Sequence, residues 1–123
     1  MDKKELNRML IRKFPELEKS YYDEVSWQEG DETGSHVVYG DVLNPYIREC
    51  ISKGNISKLK EIFEFIEDLI VTGDNYADNV VSVSVLESVL DLIFYDEDIF
   101  SLLGNESKKI VESFVEYFQN FQE

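Results

Sequence analysis

Asn79 to Phe94 reads NVVSVSVLESVLDLIF, and ten of these sixteen residues are Val, Leu, Ile or Phe. On a helix turning about 100° per residue, the apolar positions sweep from Val81 and Leu92 through Val89, Ile93, Leu86 and Leu90. They continue to Val83, Phe94 and Val80. Only Ser84, Ser88, Glu87 and Asp91 form a polar strip. A helix so widely apolar must be covered from several sides, which predicts the central helix of an all-α domain. The competing reading is a strand, because Val81-Ser82-Val83-Ser84-Val85 alternates and is β-branched. The alternation stops at Leu86, whereas the i, i+4 series Val81, Val85, Val89, Ile93 runs on. Helix is therefore the favoured reading of residues 80–85, with strand left open as the alternative.

Outward from this stretch, 57–71 reads as an amphipathic helix capped by Ser57. Leu59, Ile62, Phe63, Ile66, Leu69 and Ile70 form its stripe, and Glu61, Glu64 and Asp68 face water. Phe65 falls off the stripe beside the acidic face, and Glu67 borders it. Thr72-Gly73-Asp74-Asn75 is a turn. After the central helix, Asp96 or Asp98 caps a short turn ended by Gly104. Asn105 or Glu106 then opens a last helix with Ile110, Val111, Phe114, Tyr117, Phe118 and Phe121 on its apolar face.

Upstream, residues 3–14 form an amphipathic helix with Leu6, Met9, Leu10 and Phe14 on one side, and Pro15 ends it or opens a second turn through Tyr21–Tyr22. Trp27 to His36 is a loop by its glycines and small polar residues. His36-Val37-Val38-Tyr39 is readable as a short extended piece. Asp41 to Lys53 is helical, with either Asn44 or Asp41 as cap around Pro45, and Gly54-Asn55 closes it. The whole is a single all-α domain over 1–123, with about five to six helices in stacked antiparallel pairs of the HEAT kind and helix 79–94 at the centre.

The chain has 123 residues and a net charge of −14. Residues 1–60 carry 11 acids and 10 bases, whereas residues 61–123 carry 15 acids and only Lys108 and Lys109 as bases. Such a field repels nucleic acid and anionic membrane and draws cationic partners to the C-terminal half. Five bases in the first helix (Lys3, Lys4, Arg8, Arg12, Lys13) are a weak nucleic-acid signal beside that total. No segment reaches the ~20 apolar residues of a membrane span, and the charged N-terminus lacks the apolar core of a signal peptide. A single cysteine, Cys50, fits a reducing compartment. These features predict a cytoplasmic protein.

Chemistry is sparse. There is no phosphate-binding glycine loop and no Cys/His set for zinc. Cys50 lies on an apolar face and reads as an inert thiol. His36 with Asp41 could be an acid–base pair, but orienting the loop-to-helix junction is the plainer role. The acids at Glu61, Glu64 and Asp68, and at Asp96, Glu97 and Asp98, lack the spacing of a calcium loop. Glu67 and Glu87 border buried faces and call for a partner such as Arg48, Tyr46 or a helix-end amide. No catalytic residue, cofactor or metal is expected. A partner surface is expected instead, on Glu61, Glu64, Asp68, Asp74, Asp78, Asp91, Asp96, Glu97 and Asp98, with Phe65, Tyr76 and Tyr95 as aromatic anchors.

Residues 27 to about 94 also carry a family resemblance. Trp27 with its acidic loop, His36, Gly40-Asp41-Val42-Leu43, Pro45, Ile62-Phe63-Glu64-Phe65-Ile66-Glu67, Asn79-Val80 and Ser84-Val85-Leu86-Glu87 are similar to small helical bacterial immunity proteins found beside polymorphic toxins. The resemblance implies a HEAT-like, non-catalytic protein that binds and blocks a cognate toxin, with no residue-level site carried over. A basic, nucleic-acid-attacking toxin would suit an acidic occluding surface. The alternative is a helical scaffold or regulatory adaptor for another cytoplasmic protein.

Overall fold

The computed structural model describes residues 1–122, with side chains through Asn120. α1 (Lys3–Lys13) starts where the Asp2 carboxylate accepts the Glu5 amide and ends at Phe14, one residue before Pro15. Pro cannot donate to the preceding turn, so the chain re-enters through a 3₁₀ turn, Pro15–Leu17, into α2 (Glu18–Val25). A second 3₁₀ turn, Gly30–Glu32, leads to α3 (Ser35–Val38).

From Ser35 the chain stays helical through a π turn, Tyr39–Leu43, into α4 (Asn44–Ser52). The expected extended piece at 36–39 is therefore helix: burial of Val38 and Tyr39 outweighs the β-propensity of Val37 and Val38. Neither Asp41 nor Asn44 is a cap. The Asn44 amide instead donates five residues back, to Tyr39 O. In a regular α-helix the Pro45 ring would meet the carbonyl four residues earlier, and the widened turn lies immediately before it.

Gly54, at φ +66°, ends α4, with its amide on Ile51 O and the Asn55 amide on Cys50 O. Asn55, not Ser57, then caps α5 (Ile56–Val71) by accepting the Lys58 amide at 3.2 Å. The cap shifts because the glycine turn already places Asn55 in the flanking position. Phe65 is corrected too. It is only 7 % exposed and packs edge-on against Phe14, the residue that follows α1, at 5.5 Å.

The central stretch is helical, but not as one α-helix. Asp74 caps α6 (Asn75–Asn79), which widens into a second π turn, Val80–Leu86, in which the Glu87 amide donates to Ser82 O at 3.0 Å. Four valines at 80, 81, 83 and 85 crowd a regular turn, and the wider turn separates them. The helix breaks at Val89 and resumes as α7 (Leu90–Ile93). Val81, Val85, Val89 and Ile93 are all fully buried, whereas the phase change turns Val83 outward and Ser82 inward. This segment touches Tyr39–Leu43, α3, α5 and α9.

α8 (Glu97–Phe100) and α9 (Asn105–Gln122) complete the chain. On α9, Val111 and Val115 are buried, while Tyr117 and Phe118 are exposed. The expected apolar face thus holds for the first half of the helix and projects past the core beyond it; the Phe121 side chain lies outside the described residues. The described residues form one all-α unit with a contiguous core from Leu6 to Val111, in more and shorter helical pieces than expected because of the π turns and the break at Val89. Among them no helix is long and apolar enough to cross a membrane.

Candidate interaction surface

Local rules bring the acids of the second half to helix ends. Asp91 lies in the first turn of α7, and Asp96, Glu97 and Asp98 lie at the start of α8, where negative charge complements the helix dipole. Asp96 Oδ1 accepts the amides of Asp98 and Ile99 at 3.0 and 3.2 Å, so its role is to cap. Between α7 and α8 stands Tyr95, 74 % exposed. Its ring rests edge-on against Phe94 at 5.1 Å, and Phe94 packs in turn on Phe100 at 5.9 Å. Tyr95 is thus an exposed aromatic in a stretch of chain that also carries Asp91, Asp96, Glu97 and Asp98.

Several acids expected on the surface are already engaged within the chain. Lys58 Nζ lies 2.9 Å from Glu61 and 3.1 Å from Glu16. Asp74 caps α6 and pairs with the Met1 ammonium at 2.7 Å, and that pairing, first among its contacts, holds its carboxyl below the ordinary range. Asp78 accepts the Ser82 hydroxyl at 2.8 Å. Among the described residues, the side chains of Glu64, Asp68, Asp91, Glu97 and Asp98 form no ion pair or hydrogen bond. Asp68 stands apart from the other four, because it lines a cleft with Arg12 and Lys13 of α1. Both bases of the second half are occupied: Lys109 pairs with Glu106 at 3.4 Å, and Lys108 lies over the Phe100 ring at 5.9 Å.

Tyr76 is a structural residue. Its hydroxyl accepts the Ser35 amide at 3.0 Å, and its ring meets His36 edge-on at 6.1 Å. His36 orients the junction as expected, but through Ser84, whose Oγ is 2.6 Å from Nδ1. Among the described residues the other ring nitrogen has the Asn79 amide nitrogen at 3.5 Å and no hydrogen bond to a carboxylate. Asn44 Nδ2 donates to Ser84 O at 2.7 Å. Together these polar contacts tie the two π turns to each other. Among the described residues no three His, Cys, Asp or Glu side chains converge as metal ligands.

Sequence reasoning missed Asn7. It is fully buried on α1, donates to the carbonyls of Asp31 and Thr33 at 3.1 and 2.7 Å, and accepts the Ser35 hydroxyl at 2.8 Å. Its position beside Leu6, on the face that continues to Leu10 and Phe14, was the available signal. Asp31 also accepts Tyr21 Oη at 2.6 Å and pairs with Arg8 at 3.0 Å. The Tyr21 hydrogen bond is the main reason its carboxyl lies low. This half of the molecule is therefore tied together internally.

A family model described as a domain of unknown function (DUF7674) matches residues 7–120. No curated protein and no solved structure matches the chain.

Proposed function

We propose that this chain, which belongs to the DUF7674 family by that match, is a non-catalytic binding protein that occludes a cationic protein partner with its acidic second half. The observation that carries the reading is the unneutralised charge of that half. Its two lysines are engaged, and among the described residues Asp91, Glu97 and Asp98, close in sequence to exposed Tyr95, are unpaired. Such a surface accelerates encounter with a basic partner and places an aromatic at the centre of contact. The resemblance over residues 27–94 to HEAT-like immunity proteins makes a cognate toxin the specific partner we propose, with a cytoplasmic site of action.

The test starts from the gene directly upstream. If it encodes a large secreted protein with a variable C-terminal domain, that domain is co-expressed with this chain and then studied as purified protein; if it encodes none, the cognate-toxin reading fails. Asp91, Glu97 and Asp98 are reversed to Lys, with Asp96 spared because it caps α8. Association at low salt should slow about tenfold or more and lose its salt dependence, and protection should fail while circular dichroism stays native. Unchanged protection and on-rate would refute the acidic-surface mechanism.

A further inference from the structure

A second surface has the opposite character. α1 and α5 enclose an open cleft of about 430 Å³, within the range of about 300–1,000 Å³ typical of ligand sites. Its floor is apolar: Met9, Phe65 and Leu69. Arg12 and Lys13 line it from the last turn of α1, and Asp68 lines it from α5. Among the described residues neither cation has an ion-pair partner, and Asp68 is not within ion-pair distance of them. In a chain of net charge −14, two unpaired cations beside an apolar floor mark a local reversal of sign. The helix dipole accounts for bases in the last turn of α1, but not for an apolar cleft of this size lined by them and by a carboxylate.

The three features together define the ligand. Two cations in the lining call for an anion. The apolar residues call for a hydrophobic group. A carboxylate in the same lining disfavours a purely anionic ligand and calls for an N–H donor. We infer that this cleft binds the C-terminal apolar residue of a partner polypeptide. The α-carboxylate lies at Arg12 and Lys13, the side chain on Met9, Phe65 and Leu69, and the last amide N–H at Asp68. Charge-assisted hydrogen bonds supply the recognition of the terminus. Met9 on the floor adapts to side chains of different shape. This site is independent of the acidic surface around Tyr95, so the two stand or fall separately.

The test is an amide-shift titration of the ¹⁵N-labelled full chain with N-acetyl-Gly-Leu, its C-terminal amide, and free leucine. N-acetyl-Gly-Leu should produce saturable shifts in residues 9–14 and 65–72. Its C-terminal amide should bind about tenfold more weakly. Arg12→Gln with Lys13→Gln, both on exposed side chains, should abolish the preference for acid over amide, and Asp68→Asn should weaken the acid peptide. Equal binding of acid and amide, or shifts confined to other residues, overturns the proposal. Free leucine binding as tightly as the peptide overturns the polypeptide terminus as the ligand.

Discussion

Glu67 of α5 holds Ser107 of α9: Glu67 Oε1 accepts the Ser107 amide at 2.9 Å and the Ser107 hydroxyl at 2.8 Å. Oε2 accepts the neighbouring Glu106 amide at 3.0 Å. A side chain 39 or 40 residues away thus does for α9 what an N-cap residue usually does from within the chain. Gly104 makes this possible. A Cβ there would overlap the Glu67 carboxyl, so any larger residue displaces the cap.

Replacing Glu67 by Gln should cost about 1–2 kcal/mol, because charge and one acceptor geometry are lost at a helix end. Gly104→Ala should cost a similar amount by expelling the same carboxylate. The double variant should lose little more than either single one. Chemical denaturation of the four proteins reads this directly, and full additivity would show that the two residues act separately.

The same contact has a pH signature. Partial burial alone would raise the Glu67 carboxyl, but the Glu106 and Ser107 amides and the Ser107 hydroxyl outweigh it and hold it below the ordinary glutamate range. The folded pKa is thus below the unfolded value of about 4.3. The stabilisation is complete above that value and fades as pH falls through the depressed one. Unfolding free energies measured from neutral pH downward should converge for wild type and Glu67→Gln at the acid end. A constant gap would place the effect outside the carboxylate.

Asn7 predicts a larger loss. Asn7→Leu keeps volume but strands the buried Thr33 carbonyl and takes one partner each from the part-buried Asp31 carbonyl and from the Ser35 hydroxyl, which keeps only Lys3 O. The expected cost is about 2–3 kcal/mol. Asn7→Asp should be worse, since it faces two carbonyls with a charge. Limited proteolysis should open the 26–34 loop first in both variants, ahead of α5 or α9. Cleavage there no faster than in wild type would mean that Asn7 does not hold the loop.

What the sequence made legible follows from the kind of force involved. The series Val81, Val85, Val89, Ile93 identified the buried line correctly, because burial of apolar side chains depends on spacing that a change of turn width only locally disturbs. The π turns themselves were not legible. Whether an amide reaches four or five residues back depends on Pro45, on crowded valines and on what packs outside them. Asn44-Pro45 therefore looked like a start and lies mid-helix. Glu67 was read as needing a partner, and a helix-end amide was among the options; α9 supplied two. Asn55 was hidden as a cap because it also completes the turn after Gly54. The placement of acids around Tyr95 was partly legible, whereas the consumption of Asp74, Asp78 and Asp96 inside the fold needed the three-dimensional arrangement.

Cys50 predicts a slow thiol. It is buried on α4, and burial is the main reason its pKa is raised. Its reaction with a disulfide reagent at mildly alkaline pH should be on the order of a hundredfold or more slower than in denaturant, because labelling requires opening. Burst labelling of the native protein would mean that α4 opens far more readily than its packing implies.

The charge itself carries a cost. A chain of −14 repels itself when folded. Its exposed ion pairs, such as Lys19–Asp23 and Lys53–Glu49, offset little of this, because water screens them. Salt screens both, but the repulsion involves more groups. Unfolding free energy should therefore rise by about 0.5–1 kcal/mol from low ionic strength to about 1 M sodium chloride, where the screening length is about 3 Å. Glu116→Lys should give part of that gain at low salt, since it turns a like-charged i, i+4 contact with Glu112 into an attractive one and puts a cation towards the end of α9. The gain from the variant should shrink as salt is added. Stability that falls with salt would mean that ion pairs dominate. Stability that rises would show that the net charge is held at a thermodynamic cost, which the proposed acidic docking surface would carry.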